Sequence, residues 1–553
     1  MGAYTMSSYR HSGDEESSTD TSESDYSSGS ELERTPSEVE DSDYEAHIDL
    51  LEVTSANDEA SEVETAPIFT NAVRLHTQQV SAQGKAPFGQ YGLLAGDVSN
   101  GSALTTRKQD PRIFYNIAAP SSAFICGSQG SGKSHSLSCM LENCLTSSVA
   151  NVLPRPLTGI VFHYDAFASD TGGSPCEAAH LSSSADVKVR VLCPPTNIGN
   201  IRRIYSRLQN VTVEELRIKE SDLDTSRMLE MMAVKSTKGG MPLYLNVIVR
   251  ILRDLRIHQQ RTGTRFSYSL FKQELAKEEL TDAQLGPLQQ RLDTLESFMV
   301  KNEARAYDMF KNRKDSKLMT SSRAKGNNWA PQPGQLTIVD LSCPCVTAEA
   351  ACSLFNICLH LFLEQNSQIG RVVALDEAHK YMTDSPECQA LTEALLATIR
   401  LQRHLGARII ISTQEPTISP KLLDLCSVTI VHRFTSPDWL DTLKKHLAGA
   451  SAFSTSADSP EDSDDDGRSY VGIQPLKLNG DDLAKDLFSK IVALRTGEAL
   501  MFAPSAIIGL KSREAAQDSG KGRKIMVRLG NGVLKVRVRK RVTKDGGRSI
   551  MAN

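Results

Sequence analysis

The chain has 553 residues, 40% of them hydrophobic, and a net charge of -5 that hides an asymmetry: residues 1–66 carry -17, leaving +12 on the rest. At about 100 to 200 residues per domain this length holds more than one compact unit. No run of about 18 uninterrupted apolar residues is present, which argues against a membrane span. The polar, acidic N-terminus does not read as a secretory signal, so none is expected. The eleven cysteines lack paired zinc spacing, so they read as reduced, mostly buried small hydrophobes in an intracellular protein of the nucleus or cytoplasm.

In chain order, residues 1–66 are rich in Ser, Glu, Asp and Thr with few large apolar side chains, and are expected to be a disordered acidic tail. Residues 67–109 form a lead-in. From 110 to 197 short apolar strands alternate with helices, the pattern of a mostly parallel sheet. The first strand, Ala123 to Cys126, runs into Gly127-Ser128-Gln129-Gly130-Ser131-Gly132-Lys133-Ser134, followed by His135. This is G-x-x-x-x-G-K-S in its required setting of strand, loop and helix, a phosphate-binding loop for ATP. Glycines let backbone N–H groups point inward at phosphate, Lys133 adds a point charge, and the Ser134 hydroxyl ligates Mg²⁺. Leu137, Met140, Leu141, Cys144 and Leu145 give the ensuing helix one apolar face.

Further strands are expected at Gly159–His163, Val187–Leu192, Leu336–Leu341, Val372–Leu375, Ile409–Ser412, Val428–Val431 and Ala499–Ala503. Residues 198–325 show helical periodicity at Tyr244, Leu245, Ile248, Ile251, Leu252 and Leu255 and from Leu288 to Met299, and read as an inserted helical subdomain. The sheet domain resumes over 326–510, interrupted by an acidic loop at 449–468. Residues 511–553 read as a basic β-hairpin and tail: Ile525–Leu529, the turn Gly530-Asn531-Gly532, then Val533–Val542, with Lys535, Arg537, Arg539 and Arg541 on one face. That face suits either a polyanion or plain solvation.

The strand from Arg371 to Leu375 ends in Asp376-Glu377, where an Asp can hold Mg²⁺ through water and a Glu can polarise the attacking water. The strand Ile409–Ser412 ends in Thr413-Gln414-Glu415-Pro416, and adjacent parallel strands bring their C-terminal ends to one sheet edge, which makes Gln414 a sensor of the γ-phosphate. The expected fold is therefore α/β, a three-layer P-loop NTPase with a mostly parallel sheet and a helical insertion.

The phosphate loop, Leu375-Asp376-Glu377-Ala378-His379, and Arg403-His404-Leu405-Gly406 running into Ser412-Thr413-Gln414-Glu415-Pro416 together resemble the HerA/FtsK class of additional-strand P-loop ATPases, including its uncharacterised fungal members. The resemblance spans most of residues 110–510. It implies an ATP-hydrolysing ring motor of identical subunits, a hexamer in typical members, moving DNA or protein. It also implies roles: Lys133 and Ser134 on phosphate and Mg²⁺, Asp376 completing the Mg²⁺ site, Glu377 as base and Gln414 as sensor. Arg403 matches the arginine finger that reaches a neighbouring subunit, with Arg400 one helical turn earlier as the other candidate. The class usually reads Gln-Arg-Pro where this chain has Gln414-Glu415-Pro416, and residues 67 to 120 are short for the N-terminal β-barrel of HerA-type proteins.

Asp376-Glu377-Ala378-His379 also suggests a DEAH-box helicase, but Lys133 and Asp376 are too far apart for that family and no paired-arginine motif follows. A second class of function is a nucleotide-dependent switch or scaffold with slow turnover.

Overall fold

The computed structural model describes residues 63–80, 88–99, 110–232, 243–300, 326–365, 368–451, 470–476, 483–512 and 524–546. Residues 1–62 of the expected tail (1–66) and 452–468 of the expected acidic loop (449–468) lie outside the described residues, whereas Val63 and Ala66, at the end of the expected tail, are buried in the core around Phe69 rather than disordered. Strands are numbered in chain order: β1 (Ile68–Thr70), β2 (Tyr91–Asp97), β3 (Arg112–Asn116), β4 (Ser122–Cys126), β5 (Asn151–Val152), β6 (Thr158–His163), β7 (Lys188–Cys193), β8 (Val211–Glu215) and β9 (Gln335–Asp340). They continue as β10 (Arg371–Leu375), β11 (Ala407–Thr413), β12 (Val428–Val431), β13 (Tyr470–Gly472), β14 (Glu498–Phe502), β15 (Ile507–Ser512), β16 (Lys524–Arg528) and β17 (Leu534–Val538).

The centre is a parallel sheet in the order β12-β4-β11-β10-β6-β9-β7-β8, with β14 added antiparallel beside β12. Its strands are apolar almost throughout because both faces are covered. Along β10, Val372 and Ala374 face a core that includes Leu137, Met140 and Leu141 of the Lys133–Leu145 helix, while Val373 and Leu375 face one that includes Leu354, Phe355 and Leu395. That alternation makes a three-layer α/β P-loop fold, with β11 as the additional strand between the loop-bearing β4 and the acid-bearing β10.

The helices expected near 244–255 and 288–299 form as Leu243–Thr262 and Asp282–Phe298. The span assigned to a helical insertion nevertheless contains a strand. Val211-Thr212-Val213 alternates with a period of two and is β-branched, so it pairs in parallel with β7 as β8, after the short Ile198–Tyr205 helix and before the longer helices.

The C-terminal hairpin does not form. Strand β16 pairs with β15, and β17 pairs with β14 and β2, so the Gly530-Asn531-Gly532 turn is a corner between separate ladders. The turn residues permit a sharp reversal, but β14 and β2 already offer β17 two complete partners, which an isolated hairpin cannot match. Strands from the N-terminal and C-terminal parts of the described chain thereby build one extension, β14-β17-β2-β3-β1-β15, antiparallel except for the parallel pair β1–β15, around a small core of Phe69, Phe88 and Phe114.

The basic face of this segment is divided: Lys535 and Arg537 keep contact with solvent, whereas Arg539 and Arg541 are buried in ion pairs. Arg537 lies 2.7 Å from Glu498, and Arg539 lies 2.7 Å from Glu142, which is 1% exposed. Arg541 pairs with Glu142 and Glu177, and the Thr543 N–H and hydroxyl donate to Glu142. The segment therefore straps the outer side of the Lys133–Leu145 helix, and all but two residues of that helix are buried.

Breaking a buried ion pair from one side costs about 3–5 kcal/mol, because the partner charge stays buried. Glu142→Ala is therefore expected to lower the urea unfolding free energy by about that much. Burial pushes the Glu142 carboxyl up, but hydrogen bonds from Thr543 and Arg539 more than offset it and hold it below its usual value. Its stabilisation is present above the unfolded pKa and lost on acidification, so from about pH 5 to 3 the wild-type urea midpoint should fall more steeply than that of Glu142→Gln.

Candidate functional site

Strand β4 ends against β11 and β12, and the loop that follows is wound through left-handed backbone at Gly127 (φ 150°), Gly130 (φ 73°) and Gly132 (φ 117°). Glycine is required at Gly127 on a second count: a Cβ there would stand 2.7 Å from His432 Cβ. Gly132 caps the Lys133–Leu145 helix, so the loop delivers its backbone to a helix N-terminus, where partial positive charge favours an anion.

The loop is braced from outside. The Ser128 N–H and hydroxyl donate to the Arg433 carbonyl at 2.9 and 2.8 Å, and the Gly497 N–H donates to the Ser131 carbonyl at 3.1 Å. His432 is wholly buried, with Nδ1 2.9 Å from the Glu498 carbonyl and Nε2 2.8 Å from Ser136 Oγ. A carbonyl only accepts, so Nδ1 carries the proton and Nε2 accepts from Ser136. Burial pushes this imidazole down to about 4, so it is neutral at physiological pH.

Lys133 is 4% exposed, donates to the Ser128 carbonyl at 3.3 Å, and has Nζ 4.0 Å from Glu377 Oε1. Burial lowers its pKa, and the charges of Glu377 and Asp376 act in the opposite sense. Gln414, one residue past β11, donates from Nε2 to Glu377 Oε2 at 3.3 Å, and its N–H meets His379 Nδ1 at 3.4 Å. Strand register thus joins Lys133, Glu377 and Gln414 in one chain of contacts. Glu377 itself has φ 49°, one of two non-glycine residues with positive φ among the described residues. Such a conformation costs of order 1–3 kcal/mol and persists where the surroundings impose it.

Asp376 is turned partly elsewhere. Its Oδ2 lies 3.3 Å from His163 Nδ1 and accepts from Cys176 Sγ at 3.6 Å, whereas Oδ1 is buried without a hydrogen-bond partner. An orphaned carboxylate oxygen beside the phosphate-loop lysine suits a cation or its water, so Asp376 with the half-buried Ser134 fits Mg²⁺. Burial alone would suppress the charge on His163, but Cys176 and Asp376 outweigh it and hold the imidazole pKa well above its usual value. Asp340, at the end of β9, accepts from Tyr205 Oη at 2.6 Å.

Other expected positions sit differently. Gln129 and Gly130 are exposed at the loop tip, and the His135 side chain is committed to the Arg539 carbonyl at 2.8 Å, which leaves only its backbone for a ligand. Arg400 and Arg403 are exposed and lie before β11, at the sheet edge opposite the phosphate loop. The seven residues of β11 put roughly 20 Å between them and their own loop. Sequence reasoning did not single out His163, Cys176 and His432, which come from distant segments with no local spacing to mark them. His379 was visible as the last residue of Asp376-Glu377-Ala378-His379.

No protein-family model and no curated protein sequence matches the chain. Among solved structures it is similar to VirB4 of Thermoanaerobacter pseudethanolicus, at 10% identity and a TM-score of 0.36 over 79% of this chain and 96% of that one. It is also similar to the genome packaging NTPase B204 from Sulfolobus turreted icosahedral virus 2. With sulfate that structure gives 14% identity and a TM-score of 0.20, over 31% of this chain and 63% of that one. With ATP-gammaS it gives 15% and 0.19, over 31% and 62%. No helix among the described residues is long and apolar enough to cross a membrane.

Gly127→Ala should abolish nucleotide binding while the protein remains folded, because the added methyl collides with His432 and the backbone cannot keep φ 150°. Titration with a fluorescent ATP analogue, alongside circular dichroism, checks both halves of that expectation.

Proposed function

We propose that the chain is a Mg²⁺-dependent ATPase acting as an oligomeric DNA motor. The observation that carries this reading is the contact chain from Lys133 through Glu377 to Gln414, assembled from three adjacent parallel strand ends. In this reading the loop N–H groups and Lys133 bind the β- and γ-phosphates of ATP. Ser134 and Asp376 would hold Mg²⁺, which when bound would neutralise charge on those phosphates. Glu377 accepts the proton of the attacking water, and Gln414 orients that water and reports the γ-phosphate to β11.

Arg403, or Arg400 beside it, serves a neighbouring subunit. Neither can reach its own loop from the far edge of the sheet, so a role for them at a phosphate requires an assembly of identical chains. DNA as the substrate draws support from the exposed face of the Leu243–Thr262 helix, where Arg253, Arg256 and Arg261 are exposed, followed by exposed Arg265. With Arg539 and Arg541 committed to internal ion pairs, this face is the better place for phosphate contacts.

Glu377→Gln should reduce ATP turnover by about 10²–10⁴ while leaving nucleotide binding intact. Arg403→Ala should reduce it by about 10³ or more. Mixing Arg403→Ala with Lys133→Ala should restore part of the activity, since mixed assemblies contain some intact shared sites; no recovery at any ratio would count against a finger acting in trans.

The DNA assignment is tested by replacing Arg253, Arg256 and Arg261 with Glu. Affinity for DNA should fall, and the slope of log K against log salt should shrink by about one per lost phosphate contact. ATPase activity indifferent to DNA in the wild type would favour the slow switch over the motor.

A further inference from the structure

Beside the proposed nucleotide site, three residue types that share no sequence neighbourhood meet inside the protein. His163 ends β6, Asp376 follows β10, and Cys176 opens the turn Glu177–Ser183. All three are buried, at 7%, 3% and 0% exposure, and their ligand atoms lie within 4.8 Å of one another.

The spacing and the alignment point the same way. His163 Nδ1 stands 3.3 Å from Asp376 Oδ2 as a charge pair whose alignment leaves this buried nitrogen without a well-directed hydrogen bond. Cys176 Sγ lies 3.6 Å from the same oxygen. Ligands held at about 2.0–2.3 Å from a tetrahedral zinc stand about 3.2–3.7 Å from each other, which both separations match.

We propose that His163 Nδ1, Cys176 Sγ and Asp376 Oδ2 form a Zn²⁺ site. The donor set selects the metal: a thiolate with an imidazole favours Zn²⁺, whereas Mg²⁺ takes oxygen. Binding displaces two protons to solvent, one from the Cys176 thiol and one from His163 Nδ1, and the thiolate and carboxylate then balance the two charges of the ion around a neutral imidazole. Three protein ligands leave the fourth position for water. The outer contacts suit the role, since the Cys176 N–H donates to Tyr205 Oη at 2.9 Å and Tyr205 Oη donates to Asp340.

Asp376 then divides its oxygens, Oδ2 to zinc and Oδ1 toward the nucleotide's Mg²⁺. Zinc would fix the carboxylate's orientation and pin the start of the Glu177–Ser183 turn to the end of β6, making Cys176 and His163 positioning residues for Asp376.

The test is elemental analysis of the full chain purified without chelators or metal-affinity resin, followed by exchange into Co²⁺. One zinc per chain is expected, together with a thiolate-to-cobalt charge-transfer band after exchange. Cys176→Ser and His163→Ala should lose the metal and the band, whereas Cys345→Ser, at an exposed cysteine, should keep both. Glu377→Gln should also retain zinc, so a failed ATPase reading does not mask this result. No zinc and no cobalt band in the wild type would overturn the site, as would a band that persists undiminished in Cys176→Ser. The wild-type spectrum decides the matter even if a variant fails to fold.

Discussion

The structure depends on the register of three parallel strands. Ile409 to Thr413 of β11 pair with Ser122 to Cys126 of β4 on one side, and Arg371 to Leu375 of β10 pair with Ala407 to Ile411 on the other. Because all three run the same way, their C-terminal ends open at one edge and their loops leave together. A slip of one residue in either ladder would turn every core side chain of that strand to the wrong face, so burial on both faces enforces the register and, through it, the position of the site.

Around that edge the loops are tied down by groups that contribute no chemistry themselves. His432 links the Lys133–Leu145 helix to β14, Ser128 hangs from the Arg433 carbonyl, and Gly497 holds Ser131. On the outer side of the helix, Arg539 and Arg541 converge on Glu142. Preorganised donors of this kind matter because an electrostatic site that must rearrange at the moment of reaction loses much of its advantage. Strands from both the N-terminal and C-terminal parts take part, since β17 lies between β14 and β2, and β1 pairs with both β3 and β15.

Much of this was legible in the residues, and for identifiable reasons. The core strands are short apolar runs punctuated by polar loops, and the phosphate loop carries its conformation in its glycines. Asp376, Glu377 and Gln414 stand immediately after strands, so locating the strands located them. The C-terminal segment misled because Gly530-Asn531-Gly532 has the chemistry of a tight turn, while the partners of β16 and β17 are fixed by strands that no local pattern names. Strand β8 was hidden by the helices that follow it. Arg539 and Arg541 read as surface residues because alternating charge reports a shared face, not what covers part of it. His163 and Cys176 were silent, since only folding brings them beside Asp376.

The central claim is that the strand edge encloses one triphosphate. A crystal structure with a slowly hydrolysed ATP analogue and Mg²⁺ tests it most directly. The account predicts a γ-phosphate within about 3 Å of Lys133 Nζ, with Gln414 and Glu377 on its far side and the ion between Ser134 Oγ and Asp376. A triphosphate bound elsewhere, or bound here with Glu377 and Gln414 remote from its terminal phosphate, would contradict it.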